Sequence, residues 1–104
     1  MKIDSDLLCC EHCGEINLHQ HKISMFCRDE DKDVQHIIID AISGQIEEGI
    51  DRSGRNPSSR RQGMIISFYC EHCDYETDLL IGQHKGVTEI RTVARKIGPH
   101  MVYK

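Results

Sequence analysis

The tetrapeptide Cys-Glu-His-Cys occurs twice in this chain of 104 residues, at 10–13 and again at 70–73. A spacer of two residues turns the backbone tightly enough to point both sulfurs of one pair at the same ion. Two such pairs supply four thiolates, the number that a tetrahedral zinc ion requires. The repeat therefore predicts one metal site that joins two distant parts of the chain through Cys10, Cys13, Cys70 and Cys73.

Six cysteines are also enough for three disulfides. The N-terminal residues contain no apolar stretch of signal-peptide length, and Asp4 and Asp6 lie where such a stretch would be. We therefore expect a reducing, cytoplasmic location, in which paired cysteines hold metal more often than they form bridges. Cys9 adjoins Cys10, and the matching Glu-His spacers favour Cys10 as the ligand.

The composition also favours a structural metal. Apolar residues make up 38% of the chain and there is no Trp, which is lean for a fold that rests on hydrophobic burial alone. We expect one structural Zn²⁺, with iron as the alternative because rubredoxin-type iron sites use the same cysteine pairs.

The apolar residues are dominated by fourteen isoleucines, and this β-branched bias favours strands. Residues 19–28 alternate with a period of two, the acidic run 29–33 interrupts the pattern, and 34–42 resumes it. We predict two strands joined by an acidic turn. Apolar residues in 34–50 also recur at helical spacing, so a helix there stays open, although Gly44 and Gly49 oppose it.

The second half predicts a loop followed by a hairpin. Residues 51–63, the Arg-rich loop, contain Gly, Pro, Asn and Ser and no apolar anchor. Residues 64–69 and 75–81 are strands on either side of the second cysteine pair, and 82–86 form a turn. Residues 87–97 fit a helix or a strand equally, and 98–104 form a tail. The predicted fold class is thus mainly β, with zinc-ribbon-like antiparallel hairpins, an inserted hairpin and, as an option, a short C-terminal helix. The whole chain, 1–104, is predicted to be a single zinc-binding domain.

Charge is unevenly distributed along the chain. Residues 1–51 carry four Lys or Arg against twelve Asp or Glu, whereas 52–104 carry nine against five. The overall negative charge excludes binding to nucleic acid by bulk attraction and requires a local patch instead. Four guanidiniums in the Arg-rich loop suit bidentate phosphate recognition. The predicted partner-binding residues are Arg52, Arg55, Arg60, Arg61 and Lys85.

Two alternatives to that partner surface remain. The first is that the loop is a solvated polar segment without a binding role. The second is that Arg60 and Arg61 pair with the acidic turn at 29–33.

Histidines add no clear catalytic site. We expect His12 and His72, inside the cysteine pairs, to point away from the metal. His19, His21 and Cys27 share one face of the 19–28 strand if it is regular, but residues two apart on a strand are about 6.6–7 Å apart, which disfavours a second metal site. No nucleophile and base can be paired from the sequence, and no catalytic residue is predicted.

The two cysteine pairs, each preceded by a short apolar strand, resemble the zinc-ribbon superfamily with its rubredoxin-like knuckles. That resemblance implies the same four cysteine ligands and carries no catalytic residue with it. The segments Asn56-Pro57-Ser58-Ser59-Arg60-Arg61-Gln62-Gly63, Phe68-x-Cys70-Glu71-x-Cys73 and Gln83-His84-Lys85-Gly86 also resemble small uncharacterised bacterial zinc-ribbon-like proteins. The separation of 56 residues between Cys13 and Cys70 is longer than a minimal ribbon has.

Three functions compete on this basis. The first is a zinc-stabilised module that binds nucleic acid or a protein through the Arg-rich loop. The second is a redox or electron-transfer protein that uses its Cys-x-x-Cys thiols or a rubredoxin-like iron. The third, a metal-dependent hydrolase or nuclease, is the weakest because four cysteines leave zinc no open position for water.

Overall fold

The computed structural model describes residues 1–28 and 33–97, and these form an all-antiparallel β structure. The predicted β class is confirmed, and the described ranges contain no helix, so none that could cross a membrane. The strands are β1 (Ile3–Asp4), β2 (Leu7–Leu8), β3 (Leu18–Cys27), β4 (Gln35–Asp40), β5 (Ile46–Ile50), β6 (Gly63–Cys70), β7 (Tyr75–His84) and β8 (Val87–Lys96).

Strands β3 to β8 form one six-stranded sheet in the order β5-β4-β3-β6-β7-β8, and β1 and β2 pair separately. Strand β3 leaves the first cysteine pair, β4 and β5 extend the sheet outward, and the Arg-rich loop returns the chain to β6 beside β3. The long segment between the cysteine pairs is therefore half of the sheet, a three-stranded meander where we predicted an inserted hairpin.

The helical alternative for 34–50 is wrong. Strands β4 and β5 form a hairpin, and the turn between them is built by Asp40, whose carboxylate accepts the backbone N–H groups of Ile42 and Ser43 at 2.9 and 3.1 Å. Gly44 then adopts a φ of +80°, which glycine tolerates without steric cost. The predicted pairing of the 19–28 and 34–42 segments is confirmed, while residues 29–32 of the acidic turn lie outside the described residues.

The helical option at 87–97 is also wrong, because this segment pairs with β7 over its full length as β8. Lys85 and Gly86 have φ values of +47° and +82°, the left-handed pair of a type I′ turn. This two-residue turn folds β8 directly back along β7. The predicted tail at 98–104 lies outside the described residues.

The two faces of the large sheet differ in chemistry. One face, which we call the covered face, carries Phe26, Ile65 and Leu80 as a small buried core and is crossed by the Arg-rich loop. The opposite face, which we call the open face, carries most of the isoleucines, and these are only partly buried. The protein therefore has a single apolar core layer that is small for its length.

A β-bulge corrects our expectation for the histidines of β3. The pairing of β3 with β6 shifts register between Gln20 and Lys22, so that the extra residue is His21. A bulge reverses the inward and outward alternation from that point on. His21 therefore joins Ser24 and Phe26 on the covered face, whereas a regular strand would have placed it with Ile23 and Met25.

Candidate metal centre

The sheet register brings the two cysteine pairs together at one end of the molecule. Leu18, the first residue of β3, pairs with Cys70, the last residue of β6. Just beyond that pair, the backbone N–H of Glu71 donates to the carbonyl of Asn17 at 3.1 Å. Because β3 begins five residues after Cys13, this register places the first cysteine pair against the second.

The four sulfurs of Cys10, Cys13, Cys70 and Cys73 all lie within 4.8 Å of one another. The sulfurs of Cys10 and Cys73 are 3.7 Å apart, and those of Cys13 and Cys70 are 3.6 Å apart. A tetrahedral zinc with Zn–S bonds of about 2.3 Å requires sulfur separations of about 3.8 Å. The cluster therefore has the composition and the dimensions of a four-thiolate metal site.

The chain has no match among protein-family models, curated proteins or solved structures. A cysteine group able to hold a metal is present, and the geometry does not select between zinc and iron because both accept four thiolates at these separations.

Backbone conformation shapes each cysteine pair. In the first, Gly14 has a φ of +84° and its N–H donates to the Cys10 carbonyl at 2.9 Å, which closes the turn. In the second, the backbone N–H of His72 points at the Cys70 sulfur at 3.4 Å. Asp74 follows the second pair without a positive φ, and the chain passes directly from it into β7.

The four thiols differ in acidity. Burial opposes ionisation of Cys10, but hydrogen bonds from the backbone N–H groups of Cys13 and His12 and from the side chains of Thr77 and Cys73 together lower its pKa to about 6. Burial raises the pKa of Cys73 to about 12, and burial also raises the pKa of Cys70. A cation at the centre would stabilise all four thiolates, since metal ligation requires deprotonated sulfur.

The two remaining cysteines do not join the cluster. Cys9 is buried, and its thiol donates to the carbonyl of Leu7 at 3.7 Å, whereas Cys10 belongs to the sulfur cluster. Cys27 is exposed at the far end of β3. Within 1–28 and 33–97 the four-cysteine group is the one candidate metal cluster, and His19, His21 and Cys27 do not form a second.

The histidines near the cluster contact protein groups and are not among its four members. The ring of His12 stacks on Tyr75 with centroids 3.6 Å apart, and His72 Nε2 lies 2.8 Å from Asn17 Oδ1. His19 Nε2 lies 2.7 Å from a carboxylate oxygen of Glu71. These contacts tie the residues of each cysteine pair to neighbouring segments, which agrees with the expectation that the spacer histidines point away from the metal.

The Arg-rich loop lies across the covered face, and its arginines differ in surroundings. Arg52, Arg60 and Arg61 are exposed, as is Lys85 in the β7–β8 turn. Arg55 instead donates through Nη2 to Asp78 Oδ2 on β7 at 2.8 Å. Arg55 thus holds the loop to the sheet, a structural role that the sequence interpretation did not assign to it.

A buried ionic cluster that the sequence pattern did not predict lies beneath this loop. Glu76 and Asp78 of β7 are both fully buried. Arg95 of β8 donates to both carboxylates, at 3.2 Å from its Nε to Asp78 Oδ2. His21 Nε2 lies 2.9 Å from Glu76 Oε1. Paired charges thus occupy part of the interior that apolar side chains would otherwise fill. The only sequence signal for this cluster is the alternation of Glu76 and Asp78 before the leucines of β7.

The segment Asn56-Pro57-Ser58 fixes the loop in a second way. Ser58 Oγ donates to the carbonyl of Gln83 at 2.7 Å, and Asn56 Nδ2 donates to the carbonyl of Arg61 at 2.9 Å. Pro57 packs on Gly63 and Gly82, which are register partners on β6 and β7. Asn56, Pro57 and Ser58 therefore hold the loop in place against the sheet.

Proposed function

We propose that Cys10, Cys13, Cys70 and Cys73 hold one structural Zn²⁺ and that the chain is a binding module and not an enzyme. The observation that carries this proposal is the convergence of four sulfurs at tetrahedral separations. Four thiolates complete the coordination of zinc and leave it no position at which to activate water. In such a module the metal supplies folding free energy, and recognition falls to the protein surface.

For that surface we propose the exposed side of the Arg-rich loop, with Arg52, Arg60, Arg61 and Lys85 as contacts and nucleic-acid phosphates as the ligand. Guanidinium groups offer planar pairs of donors that match phosphate oxygens. The anchored Asn56-Pro57-Ser58 segment supports this proposal, since a loop held on the sheet loses less conformational entropy on binding than a free one. Arg55 is left out because its contact with the fully buried Asp78 gives it a structural role in holding the loop to the sheet.

Native mass spectrometry combined with elemental analysis tests the metal. We expect one zinc per chain, retained on desalting and lost when Cys73→Ser is introduced. The control is Cys27→Ser, which alters an exposed thiol outside the cluster and should keep the zinc. A chain that is folded and metal-free as purified would contradict the proposal.

Binding to single-stranded and duplex oligonucleotides at low and moderate salt tests the surface. The triple variant Arg52→Ala, Arg60→Ala, Arg61→Ala should weaken binding and reduce its salt dependence, because fewer counterions are released. The control removes three exposed positive charges elsewhere, at Lys2, Arg91 and Lys96. Equal losses in both triple variants would indicate general charge attraction, and binding of an acidic protein with no affinity for oligonucleotides would favour a protein partner.

One observation favours a second function, electron transfer through iron. Cys13 is exposed, so one sulfur of the cluster is accessible to an external redox partner. The same elemental analysis distinguishes the two. An iron-loaded protein would be coloured and would bleach reversibly on reduction, whereas a colourless zinc protein excludes this function for the purified form.

A further inference from the structure

The open face of the large sheet carries two unbroken rows of residues across all six strands. The strand registers place one residue from each strand side by side in each row. The first row from β5 to β8 is Ile46, Ile39, Ile23, Ile66, Leu79 and Thr92. The second is Glu48, Ile37, Met25, Met64, Ile81 and Ile90. Ten of these twelve side chains are apolar.

Burial differs between the two faces of the same strands. On the covered face, Ile65 and Leu80 are 2% and 8% exposed because the Arg-rich loop lies over that side. On the open face, Ile66 and Leu79 are partly exposed, although they immediately adjoin those residues on β6 and β7. Toward the sheet edges Ile46 and Ile90 are 64% and 55% exposed. The apolar rows thus contact water.

Charge is nearly absent from this face. Among the strand residues that the structure describes, Glu48 on the edge strand β5 and Lys96 at the end of β8 are the charged side chains at its register positions. The covered face carries the ionic cluster of Glu76, Asp78 and Arg95 instead. Charged side chains are depleted at the centres of protein interfaces, and this face has that composition.

The face is large enough for a weak, concentration-dependent dimer. Its exposed part ends before Thr77 and Tyr75, which contact the N-terminal segment through Glu11 and His12. Six strands about 4.8 Å apart and two side-chain rows about 6.8 Å apart cover roughly 29 by 14 Å, or about 400 Å² in projection. Two copies would together remove at least about 800 Å² from water, an area typical of small, reversible interfaces. Soluble monomers rarely expose a contiguous apolar patch larger than a few hundred Å².

We propose that the open face packs against the open face of a second copy of this chain, forming a two-sheet sandwich dimer. A broad sheet face with few charges is complemented by another apolar sheet about 10 Å away, and a second copy presents that surface with the same extent. The arrangement is closed, because the same patch is used by both partners. It places the Arg-rich loops on the two outer sides of the dimer, so it does not depend on what those loops bind.

Sedimentation analysis of the metal-loaded protein over a range of concentrations tests the dimer. We expect a species of twice the 12.0 kDa chain mass. Ile66→Glu, at the centre of the face, should raise the dimer Kd by on the order of 100-fold or more, because it buries an unpaired charge on association. Ile42→Glu is the matched control, since Ile42 is 74% exposed in the β4–β5 turn and lies outside both rows.

Ile90→Glu is a second variant in case Ile66→Glu impairs folding. Ile90 is already 55% exposed, so the new carboxylate stays hydrated in the monomer, and metal content and circular dichroism should be unchanged. A wild-type protein that is monomeric at every concentration tested would overturn the proposal. A wild-type dimer that survives both Ile66→Glu and Ile90→Glu would also overturn it, because its interface would lie elsewhere.

Discussion

Ion pairs between individual side chains hold the Arg-rich loop against the covered face of the sheet. Asp78 accepts hydrogen bonds from Arg55 of the loop and from Arg95 of β8, and the Asp78 carboxylate is fully buried. A buried carboxylate that loses a positive partner retains its desolvation cost without compensation. The arginines therefore matter for stability more than an ion pair at the surface would.

We predict that Arg95→Leu lowers the free energy of unfolding by about 3 kcal/mol, the lower end for breaking a buried pair, because the Arg95 side chain is partly exposed. Urea titration of the zinc-loaded protein measures this. Arg91→Leu, an exposed arginine on the same strand, is the control and should change stability by less than about 0.5 kcal/mol. A loss of similar size in both variants would mean that the ionic cluster contributes nothing specific.

The residues that sequence pattern identified are those whose chemistry is local. The spacing within each Cys-Glu-His-Cys copy indicated the four clustered sulfurs and separated Cys10 from Cys9. The position of His21 could not be derived, because one bulge reverses the alternation and leaves no periodic signal. The role of Arg55 was also hidden, since its partner Asp78 lies 23 residues later in a strand.

At the scale of elements, isoleucine-rich segments satisfy two periodicities at once, which is why 34–50 and 87–97 stayed ambiguous. The decision between strand and helix was made by the turns. Asp40 with Gly44 reverses the chain after β4, and Lys85 with Gly86 reverses it after β7. The tight turn at 82–86 was predicted, but the consequence that β8 must then pair with β7 depends on the sheet as a whole.

The paired glycines Gly63 and Gly82 allow the Arg-rich loop to approach the sheet. A Cβ added at Gly63 would lie 2.3 Å from Asn56 Oδ1 and 2.8 Å from Pro57 Cδ. We predict that Gly63→Ala displaces the loop and costs about 1–3 kcal/mol, the usual range for overpacking. Gly49→Ala is the control, because nothing lies within 4 Å of its Cβ position.

Thermal unfolding and limited proteolysis within 51–62 measure this effect. The loop of Gly63→Ala should be cleaved faster while the zinc content stays the same, since the cysteine cluster lies at the opposite end of β6. Unchanged proteolysis with full stability would show that the loop does not need the glycine pair.

At the scale of the whole molecule, several contributions of different kinds stabilise the fold. The buried apolar cluster of the described residues is small, consisting of Phe26, Ile65 and Leu80 with Val34 and Val93 packed against it. The ionic cluster occupies the same side of the sheet, and the larger apolar surface lies on the open face. By our proposals, such a chain depends on a bound metal ion to join the N-terminal segment to the sheet and on a second copy to cover its isoleucines.

We predict that chelation of the metal unfolds the protein cooperatively. Structural zinc contributes apparent free energies of about 10–16 kcal/mol in small peptides. The net stability of a domain is about 5–15 kcal/mol, so removal of the ion should leave little or none. Circular dichroism during titration with a strong zinc chelator should show loss of β structure in proportion to zinc release, and added zinc should restore it.

Two comparisons separate this effect from dimer dissociation. The monomeric variant Ile66→Glu should unfold at a similar ratio of chelator to protein, because its cysteine cluster is intact. Dilution of the wild-type protein with zinc present should instead dissociate the dimer without loss of the ion. A chain that keeps its sheet after complete chelation would show that β3 to β8 are stable through strand pairing and the ionic cluster alone. In that outcome the four cysteines would position the N-terminal segment against Thr77 and Tyr75 without holding the fold together.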